Sequence, residues 1–446
     1  KKEGFPAAFW VCACTEIFER LAYYLGRSLI LIFVTASVAT GGLGLSDTVA
    51  ANMQSNLTAF SYLLPLFGAV IVDKYIGARY TTPVGMFIAA AGYFTGGIAK
   101  SSAGVYAMIF LVSLGLALFK NGAIIGRVIT DKSQMDPAFS MRYTLVNVGA
   151  FIGTFLVGIL YKDVFAKDGV LGFAPCFKMA ALMMVLGGLW YIFVCWRFLG
   201  DLGKLPFKKT LTEEEKAAEA KKKEETGTKQ PLTTIEKKRI GAIFVASLFS
   251  IVFWIFWYLG YMPVYFYWAE NMDWVVAGYQ VPSTWFDAAN SLFCVILGPV
   301  TAALWKKLAA RPQGDMSLFR KTGLGIAIIG VGYLFYAAID IMRGGEKASV
   351  LWLIVFAFLL TMGEMFFSPL GHSFISKYSP SRYLAVMMSV WGFATFIAAK
   401  SYGPVYGLLF GGKIEFKVAC IGVAVVSFAA ALIMIALDKT LSALVD

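Results

Sequence analysis

The chain has 446 residues, of which 59% are hydrophobic and 15% are charged, and its mean hydropathy is +0.71. These values lie outside the usual range of soluble domains and predict an all-α polytopic membrane protein. The net charge of +12 does not indicate a nucleic-acid partner, because the basic residues concentrate in alternate loops between apolar segments.

About twelve apolar stretches follow one another along the chain. Each is long enough to cross a hydrocarbon core of about 30 Å as a helix. The predicted spans are 7–38, 49–73, 80–99, 103–130, 138–161, 173–199, 238–269, 279–305, 319–342, 349–376, 383–410 and 416–437.

The loops that carry most of the positive charge all fall on one side of the predicted membrane. They contain Lys74, Arg79, the basic residues of 204–239, Lys306, Lys307, Arg311, Arg320, Lys321, Lys377 and Arg382. The positive-inside rule makes that side cytoplasmic and places both termini there. We therefore expect an integral protein of the plasma (inner) membrane, surrounded by lipid.

The longest break in hydrophobicity, at 201–238, divides the chain into two halves of six spans each. We predict an N-terminal bundle at 1–200, a cytoplasmic linker at 201–238 and a C-terminal bundle at 239–446. Within the linker, Thr212 followed by Glu215 predicts the start of a short polar helix. Two such halves are typical of secondary transporters, which bind substrate between the halves near the membrane midplane.

The first span contains the sequence TEIFERLAYYLGR, in which charged residues interrupt apolar sequence. A charge at the centre of a membrane helix costs at least about 2.5 kcal/mol. Helical spacing places six polar residues on one face that must point into the protein or into a water-filled cavity: Glu16, Glu19, Arg20, Tyr23, Tyr24 and Arg27. Glu16 and Arg20 have the spacing of an ion pair, which leaves Glu19 to pair elsewhere or to bind a proton. The alternative is a buried charge cluster that only fixes helix packing.

This stretch resembles the ExxER(F)xYY signature of the proton-coupled oligopeptide transporters of the major facilitator superfamily, with Leu21 where Phe is usual. Four more segments resemble motifs of that family. They are Gly68 to Gly77, Leu118-Phe119-Lys120-Asn121 without the usual proline, 139–151 with an unusual Arg142, and Gly363-Glu364 followed by Ser368-Pro369-Leu370.

The resemblance implies a major facilitator fold of two six-helix bundles and a proton-coupled symporter that imports di- and tripeptides by alternating access. It implies no catalytic residue, cofactor or metal, and its partners are small peptides and protons. The implied proton-coupling residues are Glu16, Glu19, Arg20 and Lys120. The implied substrate-binding residues are Arg20, Tyr24, Arg27, Tyr62, Lys120, Asn147, Trp285, Asn290, Glu364 and Trp391.

The seventh span departs from the family, because 253–260 reads FWIFWYLG and lacks the usual acidic or amide partner of the fourth-span lysine. Asp287 and Lys400 are candidates for a replacement charge pair, although Lys400 could instead extend to the membrane interface. His372, the only histidine, could relay protons or simply pack.

Three other functions compete with peptide symport. A family member could carry nitrate, an amino-acid conjugate or a modified peptide, or could be a non-transporting sensor on the same fold. An intramembrane enzyme is disfavoured, because the sequence contains no HExxH or Gly-x-Ser-x-Gly motif.

Overall fold

The computed structural model describes residues 4–227, 230–368, 371, 374–375 and 378–444. Over these residues, twelve helices of 16 residues or more follow the order of the predicted spans. They are α1 Ala7–Thr35, α2 Asp47–Lys74, α3 Ala78–Ile98, α4 Ser102–Leu118, α5 Met135–Ile159, α6 Phe173–Trp190, α7 Thr234–Leu259, α8 Trp285–Ala309, α9 Leu318–Met342, α10 Trp352–Phe367, α11 Leu384–Phe410 and α12 Phe416–Ala436.

Nine helical segments of the described chain are long and apolar enough to cross a membrane by length and composition. Among the remaining long helices, α1 carries Glu16, Glu19, Arg20 and Arg27, while α10 has 16 described residues. The all-α membrane fold predicted from hydropathy is confirmed.

Shorter elements connect these helices. The short helices are Val38–Thr40, Asn121–Val128, Lys132–Gln134, Leu160–Val164, Tyr191–Cys195, Trp196–Leu199, Phe207–Lys209, Glu213–Gly227, Met262–Tyr265, Tyr267–Asn271, Ser381–Tyr383 and Asp438–Ser442. The strands are β1 Met272–Asp273, β2 Val275–Val276, β3 Tyr279–Gln280 and β4 Ala348–Ser349. β1 pairs with β4 in parallel, and β2 pairs with β3 in an antiparallel hairpin. Ala277 and Gly278, which connect β2 to β3, both have positive φ, as two-residue hairpin turns require.

The predicted fourth span at 103–130 corresponds to the candidate membrane span Ser102–Val128, but its helix is interrupted. Helix α4 ends at Leu118, Phe119 is extended with ψ 101°, and a separate helix begins at Asn121. Lys120, between them, has φ −118° and ψ 31°, so its backbone is not helical. The interruption places Lys120 at a helix end, which hydropathy alone does not reveal.

The described chain forms two compact units. The first comprises the residues up to Leu211 together with Val281–Leu292, and the second comprises Thr212–Gln280 and the residues from Phe293 onward. Helix α8 therefore begins in the first unit and ends in the second.

In the first unit, α1 packs against α5 and α6, and α3 packs against α4 and α6. Gly85 of α3 and Gly115 of α4 allow a close approach, because a Cβ on either glycine would overlap the carbonyl oxygen of the other. A separate buried cluster at one end of this unit includes Phe9, Ile124 and Phe207. Small residues thus set helix separation, and aromatic residues fill the space left near the ends.

In the second unit, α9 packs against α10 and α12, and α7 packs against α11. Stacked aromatic rings support the α7 contacts: the ring centroids of Phe253 and Phe367 lie 4.0 Å apart, and those of Tyr258 and Tyr402 lie 4.7 Å apart. Much of this core is therefore aromatic.

The polar helix Glu213–Gly227 confirms the capping prediction for the linker. Glu215 N donates to Thr212 Oγ1 at 3.2 Å, and Thr212 N donates to Glu215 Oε2 at 2.8 Å. These reciprocal bonds form a capping box, which satisfies amide groups that have no partner inside the helix.

Candidate functional site

The polar face of α1 lies inside the first unit. Glu16 is 2% exposed and Glu19 is 1% exposed, and Tyr23 and Arg27 are also buried. This confirms that the charged face of the first span points into the protein. It also means that each charge needs a partner, because an uncompensated buried charge is strongly destabilising.

Glu19 forms its ion pair with the next residue, Arg20. Nε and Nη2 of Arg20 donate to the two carboxylate oxygens of Glu19, in the parallel geometry that arginine and carboxylate favour. The guanidinium carbon of Arg20 lies 4.4 Å from the ring centroid of Tyr23 and 5.6 Å from that of Tyr24. Arg20 remains 23% exposed, so the pair is accessible from one side.

Glu16 pairs with Arg142 of α5, and the predicted pairing of Glu16 with Arg20 is wrong. The Nε of Arg142 lies 2.9 Å from Glu16 Oε1. Asn121 Nδ2 donates to the same oxygen at 3.3 Å. Helical spacing alone predicted a partner on the same helix, whereas the structure supplies both partners from other helices.

Lys120 contacts backbone rather than an acid. Its Nζ donates to Pro65 O on α2 at 2.7 Å, and its backbone N donates to Thr82 Oγ1 on α3 at 3.3 Å. Among the residues that the structure describes, no carboxylate lies within ion-pair distance of Lys120. Its half-buried ammonium is therefore a positive charge held in place by a carbonyl dipole.

Arg27 is the third cation of α1 and faces α2. Its Nε donates to Thr58 Oγ1 at 3.1 Å, while Gln54 Nε2 donates to Arg27 O at 3.1 Å. Tyr62, one turn beyond Thr58 on α2, is 46% exposed. Asn147 on α5 is half-buried, and its Nδ2 donates to Tyr143 O at 3.0 Å.

The first turns of α8 contribute three predicted residues to the first unit. Trp285 stacks on Phe155 of α5, with ring centroids 4.8 Å apart and an interplanar angle of 12°, and its Nε1 donates to Phe155 O at 3.1 Å. Asp287 and Asn290 are each 7% exposed. The indole of Trp285 is thus fixed by both stacking and hydrogen bonding.

The second unit holds the other predicted residues. Glu364 of α10 is partly exposed, and its Oε2 accepts from the Cys294 thiol of α8 at 3.6 Å. Trp391 on α11 is partly exposed, and Lys400 on the same helix is exposed. Pairing of Asp287 with Lys400 stays a prediction. Pro369, Leu370, His372 and Lys377 lie outside the described residues.

Sequence reasoning missed Arg142 and Asn121 as partners of Glu16, and Thr58 as a partner of Arg27. Arg142 did give a signal, since it is the residue that departs from the fifth-span motif. Asn121 lies in a matching motif, but nothing in its spacing from Glu16 indicated contact across 105 residues of sequence.

A family model described as the POT family matches residues 202–410. Curated relatives cover most of the chain. An uncharacterized transporter, YclF, of Bacillus subtilis is 25% identical over 89% of this chain and 87% of that protein. A di-/tripeptide transporter of Lactococcus lactis is 24% identical over 87% of this chain and 86% of that protein. The chain is therefore similar to POT-family proteins over most of its length.

Solved structures of POT transporters share the fold. A peptide transporter POT in complex with sulfate matches with a TM-score of 0.87 and 23% identity, covering 100% of this chain and 97% of that one. A POT family transporter in complex with 5-aminolevulinic acid matches with a TM-score of 0.85 and 23% identity, covering 99% and 98%. The predicted major facilitator fold is confirmed, and the relatives are transporters rather than enzymes.

Proposed function

We propose that this protein belongs to the POT family and is a proton-coupled symporter that imports di- and tripeptides by alternating access of two helix bundles, 1–200 and 239–446, joined by the linker 201–238. The single observation that carries the proposal is the buried, partly accessible ion pair of Glu19 and Arg20 on α1. The description of the Lactococcus lactis relative as a di-/tripeptide transporter supports the choice of substrate. Both termini are assigned to the cytoplasmic side of the plasma (inner) membrane.

The substrate carboxylate is assigned to the cations of the first unit. One edge of the Arg20 guanidinium bonds to Glu19 while the side chain remains 23% exposed, and Lys120 Nζ donates to Pro65 O. Arginine binds carboxylates through two parallel bonds, whereas lysine acts as a point charge. Arg27, Tyr24, Tyr62 and Asn147 complete the polar residues assigned to binding in this unit.

The amino group of the peptide is assigned to Glu364, with Asn290 as a hydrogen-bonding residue and Trp285 and Trp391 as apolar walls. A partly exposed carboxylate attracts an ammonium group, and a purely anionic substrate would have no use for it. Backbone recognition at the two charged ends, with apolar walls elsewhere, tolerates many side chains.

Coupling follows from the Glu19–Arg20 pair. A proton on Glu19 removes the negative charge that occupies the Arg20 guanidinium, so Arg20 becomes available to the substrate carboxylate. Proton and substrate binding then favour the same conformational state, and a differential affinity of this kind shifts an alternating-access equilibrium.

The experiment compares Glu19→Gln with a matched control, Glu213→Gln, which neutralises an acid that is 91% exposed on the linker helix. Each purified variant is placed in liposomes, and labelled dipeptide uptake is measured with an inward proton gradient and by counterflow without one. We expect Glu19→Gln to keep counterflow and lose accumulation, and Glu213→Gln to match the wild type. Accumulation by Glu19→Gln would contradict the role of Glu19.

A second candidate is a family branch with an altered substrate, such as nitrate, a modified peptide or an amino-acid conjugate, or a sensor that does not transport. The aromatic surface of α7 favours it, because the segment after Phe253-Trp254 lacks the acidic or amide residues usual in the family, and the ring centroids of Trp254 and Trp257 lie 5.4 Å apart. Counterflow separates the possibilities: peptide exchange supports symport, exchange of another solute supports an altered substrate, and binding without exchange supports a sensor.

A further inference from the structure

Arg142 connects α5 to the first acid of α1. Its Nε lies 2.9 Å from Oε1 of Glu16, a side chain that is 2% exposed. Asn121, itself 0% exposed, donates from Nδ2 to the same oxygen and also to Cys12 O at 2.8 Å. One carboxylate oxygen therefore accepts hydrogen bonds from two elements that are distant from α1 in sequence.

Gly122 provides the space for the guanidinium group. A Cβ at this position would lie 2.9 Å from Arg142 Nη2 and 3.0 Å from Arg142 Cζ, which is closer than normal contact. Gly126, one turn further along the same short helix, offers a matched control, since its added Cβ would come no closer than 3.4 Å to Phe139. A methyl group at position 122 would therefore shift the guanidinium group from its present place beside Glu16.

Each acid of α1 now has its own arginine. Glu19 pairs with Arg20 on the same helix, and Glu16 pairs with Arg142 from α5. The two acids and the two arginines therefore balance in charge. Other titratable groups packed around this part of α1 are the Cys195 thiol, 3.6 Å from Thr15 Oγ1, and the buried phenol of Tyr93 on α3, while Asn121 adds an uncharged amide.

We infer that Arg142 is a positioning residue that fixes Glu16 in an ion pair, so that, of the two α1 acids that the family resemblance assigns to proton coupling, Glu19 is the one that exchanges the transported proton. This inference rests on the proposed symport. Arg142 is the residue at which this chain departs from the family motif of the fifth span.

Removal of one charge of the Glu16–Arg142 pair and removal of both charges are expected to affect transport differently. Removing one partner of a buried pair leaves an uncompensated charge, whereas removing both leaves two neutral amides that can still bond to each other. We expect Glu16→Gln and Arg142→Gln each to lower the counterflow rate at least tenfold. The double variant Glu16→Gln/Arg142→Gln is expected to recover to within threefold of the wild type, and Arg142→Lys to stay within the same range.

Gradient-driven uptake separates positioning from proton transfer. The double variant is expected to accumulate peptide with the proton gradient, as the wild type does. Counterflow without accumulation in the double variant would show that Glu16 carries the proton and would overturn the inference. A double variant no better than the single variants would overturn the pairing.

Thermal stability tests the Arg142–Glu16 pair independently of transport. Thermal unfolding midpoints are measured for Glu16→Gln, Arg142→Gln, the double variant and Arg142→Lys, together with Gly122→Ala and the control Gly126→Ala. Two results would support the Arg142–Glu16 pair: recovery of the unfolding midpoint in the double variant, and a lower midpoint for Gly122→Ala than for Gly126→Ala. This support holds even if the wild type accumulates no peptide and the proposed symport is wrong. Absence of that recovery overturns the pairing whatever the transport result.

Discussion

Gly68 of α2 lies where a methyl group has no space. A Cβ built there would overlap the backbone oxygen of Ala117 on α4 and would lie 3.1 Å from Lys120 Cε. Since the obstructing atom is backbone, rotation of a side chain cannot relieve the overlap, and α2 and α4 must separate. Gly68→Ala therefore strains the packing and displaces the Lys120 side chain from its bond to Pro65 O.

The change in the free energy of unfolding for Gly68→Ala combines two opposing effects. Overpacking of this kind costs about 1–3 kcal/mol. Replacing glycine by alanine inside a helix returns about 0.5–1 kcal/mol. The net loss is therefore about 0–2.5 kcal/mol, and a mid-range loss of about 1 kcal/mol reduces the folded-to-unfolded ratio roughly fivefold. Gly422→Ala on α12 is the matched control, because its Cβ would meet no atom within 4 Å and only the helix-propensity gain remains.

The assay follows thermal unfolding in detergent through exposure of buried cysteines to a thiol-reactive dye, since Cys12, Cys176, Cys195, Cys294 and Cys420 are all buried. We expect a lower midpoint for Gly68→Ala than for the wild type and an equal or higher midpoint for Gly422→Ala. Equal midpoints for the two variants would refute the argument that the α2–α4 approach limits residue size.

Three further substitutions test single contacts. Arg20→Lys loses the two parallel bonds to Glu19, so we expect the apparent KM for dipeptide to rise at least tenfold in uptake assays, and an unchanged KM would contradict the arrangement. Trp285→Phe keeps the stack on Phe155 but loses the hydrogen bond from the indole Nε1 to Phe155 O. We expect the free energy of unfolding in denaturant titrations to fall by about 1 kcal/mol, and an unchanged free energy would contradict a stabilising role for that bond. Thr233→Ala removes the capping box at the start of α7, at a cost of about 0.5–2 kcal/mol in the same titrations, and a stability equal to the wild type would count against the cap.

The positions of the helices and the polar face of α1 were predictable, because hydropathy and helical periodicity are local properties. The interruption at Lys120 was not, since no proline or glycine marks it and only the conformation of Phe119 and Lys120 shows it. The grouping of Val281–Leu292 with the first unit also escaped prediction, because it depends on tertiary contacts rather than on composition.

The partners of the α1 charges show the same limit. Periodicity predicted which side of the helix Glu16 and Glu19 occupy, and the structure confirms their burial. It did not predict that Glu16 would reach Arg142, 126 residues away, or that Glu19 would bond to its immediate neighbour Arg20. Such pairings depend on side-chain conformation and on the packing of α5 against α1.

Peptide-dependent proton entry tests the central claim most directly. Liposomes containing the purified protein and a pH-sensitive dye in the lumen receive labelled dipeptide outside, with equal pH on the two sides. Proton–peptide symport predicts that peptide moving inward down its concentration gradient acidifies the lumen, with no such change in protein-free liposomes. Peptide entry at constant luminal pH would contradict proton coupling, and the absence of peptide entry would contradict peptide transport itself.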